Sequence, residues 1–154
     1  MRILVVAVGK PRDAALHAAI SEYETRAARY WPLAVHEVRE ESGRATPPDL
    51  VREREGERLL GRIPPGCRII ACDPAGDALS SERFSRFLVD AREAARDLAF
   101  VIGGAHGLST GLLARAERKL LLAPWTLPHE LARLVLAEQL YRAGTIARGE
   151  PYHK

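Results

Sequence analysis

Cysteine is nearly missing: Cys67 and Cys72 are the only two in 154 residues. They form neither a C-x-x-C redox motif nor a zinc ligand pair, and no cysteine–histidine cluster lies near them in sequence. A disulfide scaffold is excluded, no metal is expected, and free buried thiols in a reducing cytosol are the natural reading. Lysine is almost as scarce. Lys10, Lys119 and Lys154 are the only lysines among 23 basic residues. Positive charge is therefore carried by guanidinium, which suits bidentate phosphate contacts and surface ion-pair networks alike. Excess charge is small as well: Lys+Arg 23 against Asp+Glu 20 leaves +3. That argues against histone-like or tail-type nucleic-acid binding and leaves room for a local basic patch. No apolar run approaches the roughly 20 residues of a membrane span, so no membrane partner is expected. The opening Arg2-Ile3-Leu4-Val5-Val6-Ala7-Val8-Gly9 is too short for a signal sequence and reads as a strand. Together these features predict a soluble, cytoplasmic protein.

What is present is ordinary globular material. Hydrophobic residues make up 47% and charged residues 28%, enough for one core, and the length predicts a single domain over 1–154. Short β-rich runs occur at 3–8, 33–38, 68–72, 98–102 and 119–122. Segments with helical spacing lie between and after them, at 14–30, 50–61, 81–96, 110–118 and 128–147. This alternation predicts an α/β fold with a mostly parallel sheet flanked by helices. Gly9-Lys10-Pro11, Pro64-Pro65-Gly66 and Gly103-Gly104 punctuate it. The stretch 41–49, with Ser42-Gly43 and Pro47-Pro48, reads as a mobile loop. No internal repeat is visible.

The last helical segment is apolar round most of its circumference between Leu131 and Tyr141. An ordinary surface helix carries a single apolar stripe. Two readings fit: contact with a second copy of the chain, most commonly about a twofold axis, or a helix buried within its own chain. In open α/β sheets ligands bind beyond the carboxyl ends of the strands. That directs attention to Asp73-Pro74-Ala75-Gly76, to the segment from Gly103 to Ser109, and to the segment from Ala123 to His129. The Gly-rich segment lacks the spacing of a dinucleotide fingerprint, a Walker loop or a nucleophile elbow, and Ser109 is placed to cap the helix that follows. Of the five histidines, His17 and His36 read as surface or packing residues. His106 is either exposed or ligand-facing, and His129 shares a helix face with Arg133. Glu138 and Arg142 read first as an i,i+4 ion pair. The terminal Arg148-Gly149-Glu150-Pro151-Tyr152-His153-Lys154 is either a frayed end or a set of groups for reading splayed RNA: a ring to stack on, an imidazole, and cations.

Taken together, three stretches resemble one family. They are Ile102-Gly103-Gly104-Ala105-His106-Gly107-Leu108-Ser109; Thr126-Leu127-Pro128-His129 with Glu138-Gln139-Leu140-Tyr141-Arg142-Ala143; and Pro151-Tyr152-His153-Lys154. With Asp73, Gly76 and the opening strand, they make the chain similar to the small SPOUT-class RNA methyltransferases of the RlmH family. That family methylates N3 of a pseudouridine in large-subunit (23S) ribosomal RNA. The resemblance implies a SPOUT fold with a C-terminal trefoil knot, although knots are rare on topological grounds. It implies S-adenosylmethionine as cofactor, touching Cys72, Gly103, Leu122, Ala123, Pro124, Trp125, Thr126 and Leu127. The chain departs from the family at Pro124-Trp125, where small residues are usual, and a proline removes one N–H.

The resemblance also implies the division of labour. His129, Glu138, Arg142 and His153 are the catalytic candidates, with His129 or His153 as the general base for the N3 proton, unless the site only positions the imide. Arg142, Tyr152, His153 and Lys154 hold the RNA. The expected partners are the ribosome and a second copy of the chain, whose tail completes the neighbouring site. Two other readings remain open: a SPOUT enzyme for another RNA such as tRNA, and a noncatalytic ribosome-binding module.

Overall fold

The computed structural model describes residues 1–42 and 45–154, so Gly43 and Arg44, within the expected mobile loop, lie outside the described residues. Five strands are β1 (Ile3–Val8), β2 (Leu33–Val38), β3 (Arg68–Ala78), β4 (Leu98–Ile102) and β5 (Arg118–Leu121). Five helices are α1 (Ala14–Ala27), α2 (Pro48–Leu60), α3 (Ser81–Glu93), α4 (Thr110–Arg115) and α5 (His129–Ala147). The strands form one sheet in the order β2-β1-β4-β3-β5, and every pairing is parallel. The α/β class read from the alternating segments is what the chain adopts.

Both faces of the sheet are covered, which is why β1 and β4 are buried along their whole length. Side chains alternate across a strand. Ile3, Val5 and Ala7 therefore enter a core with Leu88, Leu136 and Leu140, while Leu4, Val6 and Val8 enter the opposite core with Leu59 and Leu112. Helix α5 packs against both α1 and α3 on the first face. Its Leu136 and Leu140 are fully buried, each contributing roughly 1.5–3 kcal/mol. The Trp31 indole N–H donates to the Leu140 carbonyl at 2.9 Å, tying the turn after α1 to the middle of this helix. Burial within its own chain thus accounts for much of the all-round apolar character of α5. Leu131, Leu134 and Val135 remain half-buried.

Several boundaries differ from the sequence expectation. Asp73-Pro74-Ala75-Gly76 is not a loop beyond a strand: it lies inside β3, which shifts register between Cys72 and Asp77 and pairs with Leu120 of β5 on both sides of the shift. A bulge of this kind accommodates Pro74 within a strand. Gly76 is required there, because a Cβ would stand 2.6 Å from the backbone of Lys119 and Leu120. Helix α1 stops at Ala27 and not near Tyr30, where Trp31 turns into the core. Helix α2 begins at Pro48, whose missing N–H costs nothing in a first turn. Helix α3 ends at Glu93, and Ala95 follows with φ 52°, a left-handed cap of the kind that glycine usually fills. Helix α4 stops at Arg115 because β5 already starts at Arg118. Neither cysteine is fully exposed; both are free and half-buried. Among the described residues no helix is long and apolar enough to cross a membrane.

Candidate functional site

The carboxyl ends of β3 and β5 lie side by side, and the chain leaving β5 runs through residues 122–128 before α5 begins at His129. A small cleft of about 90 Å³ opens between these segments. Its walls include Cys72 and Asp73 from β3, Leu122, Ala123, Trp125, Thr126 and Leu127 from the connection, and Ala132 from the first turns of α5. Six of the eight residues expected at the cofactor therefore share one cleft. Pro124 and Gly103 are not part of its wall. Pro124 is exposed. Gly103 follows β4 and packs on the next loop, where a Cβ would sit 2.7 Å from the Gly107 backbone. Asp73 belongs to a segment to which the sequence already directs attention, whereas Leu121 and Ala132 are not among the expected site residues. Ala132 had a detectable signal, since it lies three residues after His129 on one helix face.

The cleft is largely apolar in its side chains, so its polar groups come mainly from the backbone. The N–H groups of Trp125, Thr126 and Leu127 make no hydrogen bond within the chain among the described residues and are open to water or to a ligand. Trp125 is 79% exposed, an uncommon place for a large aromatic ring. Burial, with the Asp73 carboxylate beside it, pushes the Cys72 thiol up to about 12. Cys72 is therefore a neutral wall group and not a nucleophile at pH 7. Unpaired backbone donors, apolar walls and a ring open to solvent fit an adenine nucleoside carrying a sulfonium amino acid, and they offer no metal-type ligand set.

The catalytic candidates divide into two groups along α5. His129 stands at its amino end, with Nε2 3.7 Å from Glu40 Oε1. Glu40 is held in turn by Arg12 at 2.7 Å. The other three gather at the carboxyl end. Arg142 donates through Nε and Nη2 to Glu138 Oε1 at 3.0 and 2.6 Å, and the Tyr152 hydroxyl donates to the same oxygen at 3.0 Å. Tyr152 lies beneath the Arg142 guanidinium, 4.7 Å from its ring centroid, and 4.6 Å from the ring of Tyr141. Burial, then the Tyr23 hydroxyl and the Glu138 carboxylate, pushes the Tyr152 phenol well above its ordinary value. It stays a neutral donor.

His153 bridges Arg142 and α3. Its Nδ1 is 3.3 Å from Arg142 Nη1 and its Nε2 is 2.7 Å from Glu82 Oε1. A guanidinium only donates, so Nδ1 accepts, and the imidazole proton sits on Nε2 facing Glu82. The Ser80 hydroxyl first, then the backbone and His153, hold the Glu82 carboxyl at about 2. Glu82 was not singled out from sequence, because nothing local links α3 to the tail. The tail is folded back and not frayed: Glu150 N–H donates to the Thr145 carbonyl at 2.9 Å. Lys154 is exposed at the end. The Glu138–Arg142 pair is thus an ion pair and also the base on which the tail rests.

The remaining candidates fall outside both groups. His17 and His106 are exposed and His36 is half-buried. The His106 carbonyl accepts from Arg52 Nη1 at 3.3 Å, which tethers the Gly-rich loop. Ser109 caps α4, accepting from Leu112 N–H at 3.2 Å. Glu55, unmarked in the sequence reading, is buried behind that loop. One of its oxygens takes the Glu41 N–H at 3.0 Å, and the other has no partner among the described residues.

A family model described as "Predicted SPOUT methyltransferase" matches residues 1–153. A protein of Gemmatimonas aurantiaca named "Ribosomal RNA large subunit methyltransferase H" is 60% identical over 154 residues, covering all of both chains. A protein of the same name from Anaeromyxobacter sp. is 47% identical over 157 residues, again with complete coverage of both. Another from Geotalea daltonii is 42% identical over 154 residues, with 99% of each chain covered. With a family model spanning nearly its whole length and relatives this similar from end to end, the chain belongs to the SPOUT methyltransferases, in the family of the ribosomal RNA large subunit methyltransferases H.

Proposed function

We propose that this protein transfers a methyl group from S-adenosylmethionine to N3 of a pseudouridine in large-subunit ribosomal RNA, acting on the assembled ribosome as a cytoplasmic homodimer. The observation that carries this reading is the cleft beyond β3 and β5, with its unpartnered N–H groups at Trp125, Thr126 and Leu127, in a chain of this family. The cofactor supplies a sulfonium-bound methyl group, already electrophilic. Leu122, Ala123, Thr126 and Leu127 hold it by backbone contacts, Trp125 covers it from the solvent side, and Cys72 closes the wall. Pro124 has no N–H to give, so the neighbouring amides carry the recognition. Gly103 acts one step behind, letting the chain after β4 lie close to Gly107. The knotted passage expected between β4 and α5 belongs to the same proposal.

The remaining chemistry is orientation and removal of the N3 proton. His129 shares a helix face with Ala132 of the cleft and has the Glu40 carboxylate behind it, which suits a general base. The free lone pair of His153 is occupied by Arg142, which suits a positioning role. Arg142, Tyr152, His153 and Lys154 then hold the nucleotide and its phosphates, with Glu138 fixing Arg142 and Tyr152.

Arg142 lies 13 residues beyond His129, about 20 Å along the helix at 1.5 Å per residue. His129 and Arg142 of one chain are therefore far apart for a single base. This favours a dimer in which the tail of one copy completes the site of the other, with the half-buried Leu131, Leu134 and Val135 available to the contact. The test is methyl transfer from labelled cofactor to assembled ribosomes, free ribosomal RNA and tRNA, followed by nucleoside analysis. Methylated pseudouridine appearing only from ribosomes is the expected result. Label in tRNA, or in none of the three, overturns the reading.

A further inference from the structure

Arginine is not evenly spread over the surface. Helix α3 begins where Glu82 holds His153 of the tail, and the helix then carries Arg83 and Arg86 outward. These line a shallow groove with Arg118 of β5. A second groove, sharing Phe87, Asp90 and Arg118 with the first, adds Arg68 and Arg96. Five guanidiniums thus follow α3 from the tail to the far edge of the sheet, about 20 Å at 1.5 Å per residue. Arg83, Arg86 and Arg96 are exposed and have no carboxylate within ion-pair distance among the described residues. Arg118 lies over the Phe87 ring, 5.4 Å from its centroid, with only the loose partner Asp77 at 3.7 Å.

Arg68 is already paired with Glu117 of the same groove, so the free positive charge on this surface is that of Arg83, Arg86 and Arg96. Guanidinium is the group that takes phosphate oxygens in pairs. The whole chain carries only +3, so a run of this kind is local and not a by-product of a basic composition.

We infer that this arginine track is a second RNA-binding surface, which takes the sugar–phosphate backbone of the ribosomal RNA strand running away from the target nucleotide. The inference rests on the reading above for its substrate. That reading puts the tail on the target nucleotide, and the track starts at the tail; the strand continuing from that nucleotide is therefore what passes over α3. It carries no base-specific contact, so it contributes grip and register and not sequence choice.

The experiment compares the native protein with the triple variant Arg83→Gln, Arg86→Gln, Arg96→Gln. A control triple, Arg39→Gln, Arg62→Gln, Arg115→Gln, removes the same charge from other faces. All three substituted track residues are exposed, so folding is undisturbed. The KM for ribosomes is expected to rise ~10-fold at physiological salt, and the slope of log KM against log salt to fall by about 2, as for three lost single-strand phosphate contacts. Turnover at saturating ribosomes and the cofactor Kd stay within about twofold, because the track lies outside the cleft. The hydroxyl-radical footprint on ribosomal RNA shrinks.

Unchanged KM and salt slope, or an equal loss in the control, overturns the inference. A raised KM with an unaltered RNA footprint also overturns it, since the contact is then to a ribosomal protein. If the native protein transfers no methyl group to ribosomes yet its footprint shrinks in the variant, the enzymatic reading falls and the track stands. If the native protein leaves no footprint at all, the track falls too.

Discussion

The cleft beside β3 and β5 and the cluster at the chain's end meet α5 at different turns, through Ala132 in the former and Glu138 with Arg142 in the latter, and they are made of different groups. The cleft is shaped by backbone: a register shift in β3, a close crossing at Gly76, and a connection whose amides point at no partner. The tail is shaped by side chains: Glu138 alone receives Arg142, Tyr152 and Gln139. A backbone-built pocket tolerates most side-chain exchanges and fails when the chain itself is displaced. A side-chain cluster fails one group at a time, because each donor left without its carboxylate is an unpaired polar group. On the proposed function the difference separates cofactor binding, assigned to the first, from substrate handling, assigned to the second, and each is then expected to be removable without the other.

The strongest break of this separation is removal of residues 152–154. Methyl transfer is expected to fall by at least ~10²-fold, the scale of losing the groups that position a substrate. The cofactor Kd, measured by calorimetry, stays within about twofold. Joint loss of both would show that the tail supports the cleft and that the division is false. Next in size is Gly76→Ala. Its Cβ would press on Lys119 and Leu120 at 2.6 Å, against backbone that cannot swing away as a side chain does. Overpacking of this kind costs about 1–3 kcal/mol, readable as a lower urea midpoint. Cofactor affinity falls with it, since β5 leads directly into the cleft connection. A variant as stable as the native protein would mean that the crossing does not shape the cleft.

These two changes also mark how far the sequence could be read. The strands at 3–8, 33–38 and 98–102 match β1, β2 and β4 to the residue, because β1 and β4 are uninterrupted buried runs and β2 is bounded by clear breaks. β3 was read too short. Pro74 and Gly76 look like turn punctuation, and only the neighbouring β5 backbone turns them into a bulge. The same limit applies to the sites. The family resemblance points to the connection 122–127, and six of the eight residues it names line one cleft, without Pro124 and Gly103. Asp73 and Leu121 join them through strand register. Glu82 meets His153 across 71 positions, a distance no local pattern spans. The pairing of Glu138 with Arg142 followed from i,i+4 spacing, whereas its second role, as the seat of Tyr152, needed the tail's return after Gly149.

A sharper view of the cleft comes from Trp125→Ala. The ring is 79% exposed, so stability should change by no more than ~0.5 kcal/mol. If the ring covers the adenine, the cofactor Kd rises roughly 3- to 10-fold, the usual range for one aromatic contact. Thermal unfolding with and without cofactor separates the two effects: the unliganded midpoint is unmoved, and the cofactor-induced rise is smaller. An unaltered cofactor Kd would remove Trp125 from the site and leave recognition to the amides alone.

The smallest effect belongs to Glu82→Gln, and it is visible only against pH. The Ser80 hydroxyl, the backbone and His153 depress the Glu82 carboxyl from 4.5 to about 2. A depressed carboxyl contributes stability that is present above its unfolded value and is lost as pH falls toward its folded one. The native protein is therefore expected to be more stable than the variant at pH 5 and above. The gap narrows below 4.5 and closes near 2. Water screens this exposed pair, so the shift in urea midpoint is small, and it is measured as a difference between the two proteins across the pH series. A gap that persists at pH 2, or is absent at pH 7, breaks the link between Glu82 and the tail. Since the Glu82 carboxylate also fixes the proton of His153 on Nε2, the same variant frees the imidazole to turn. Turnover then falls while cofactor affinity does not, the pattern expected if the cleft and the tail perform separate tasks.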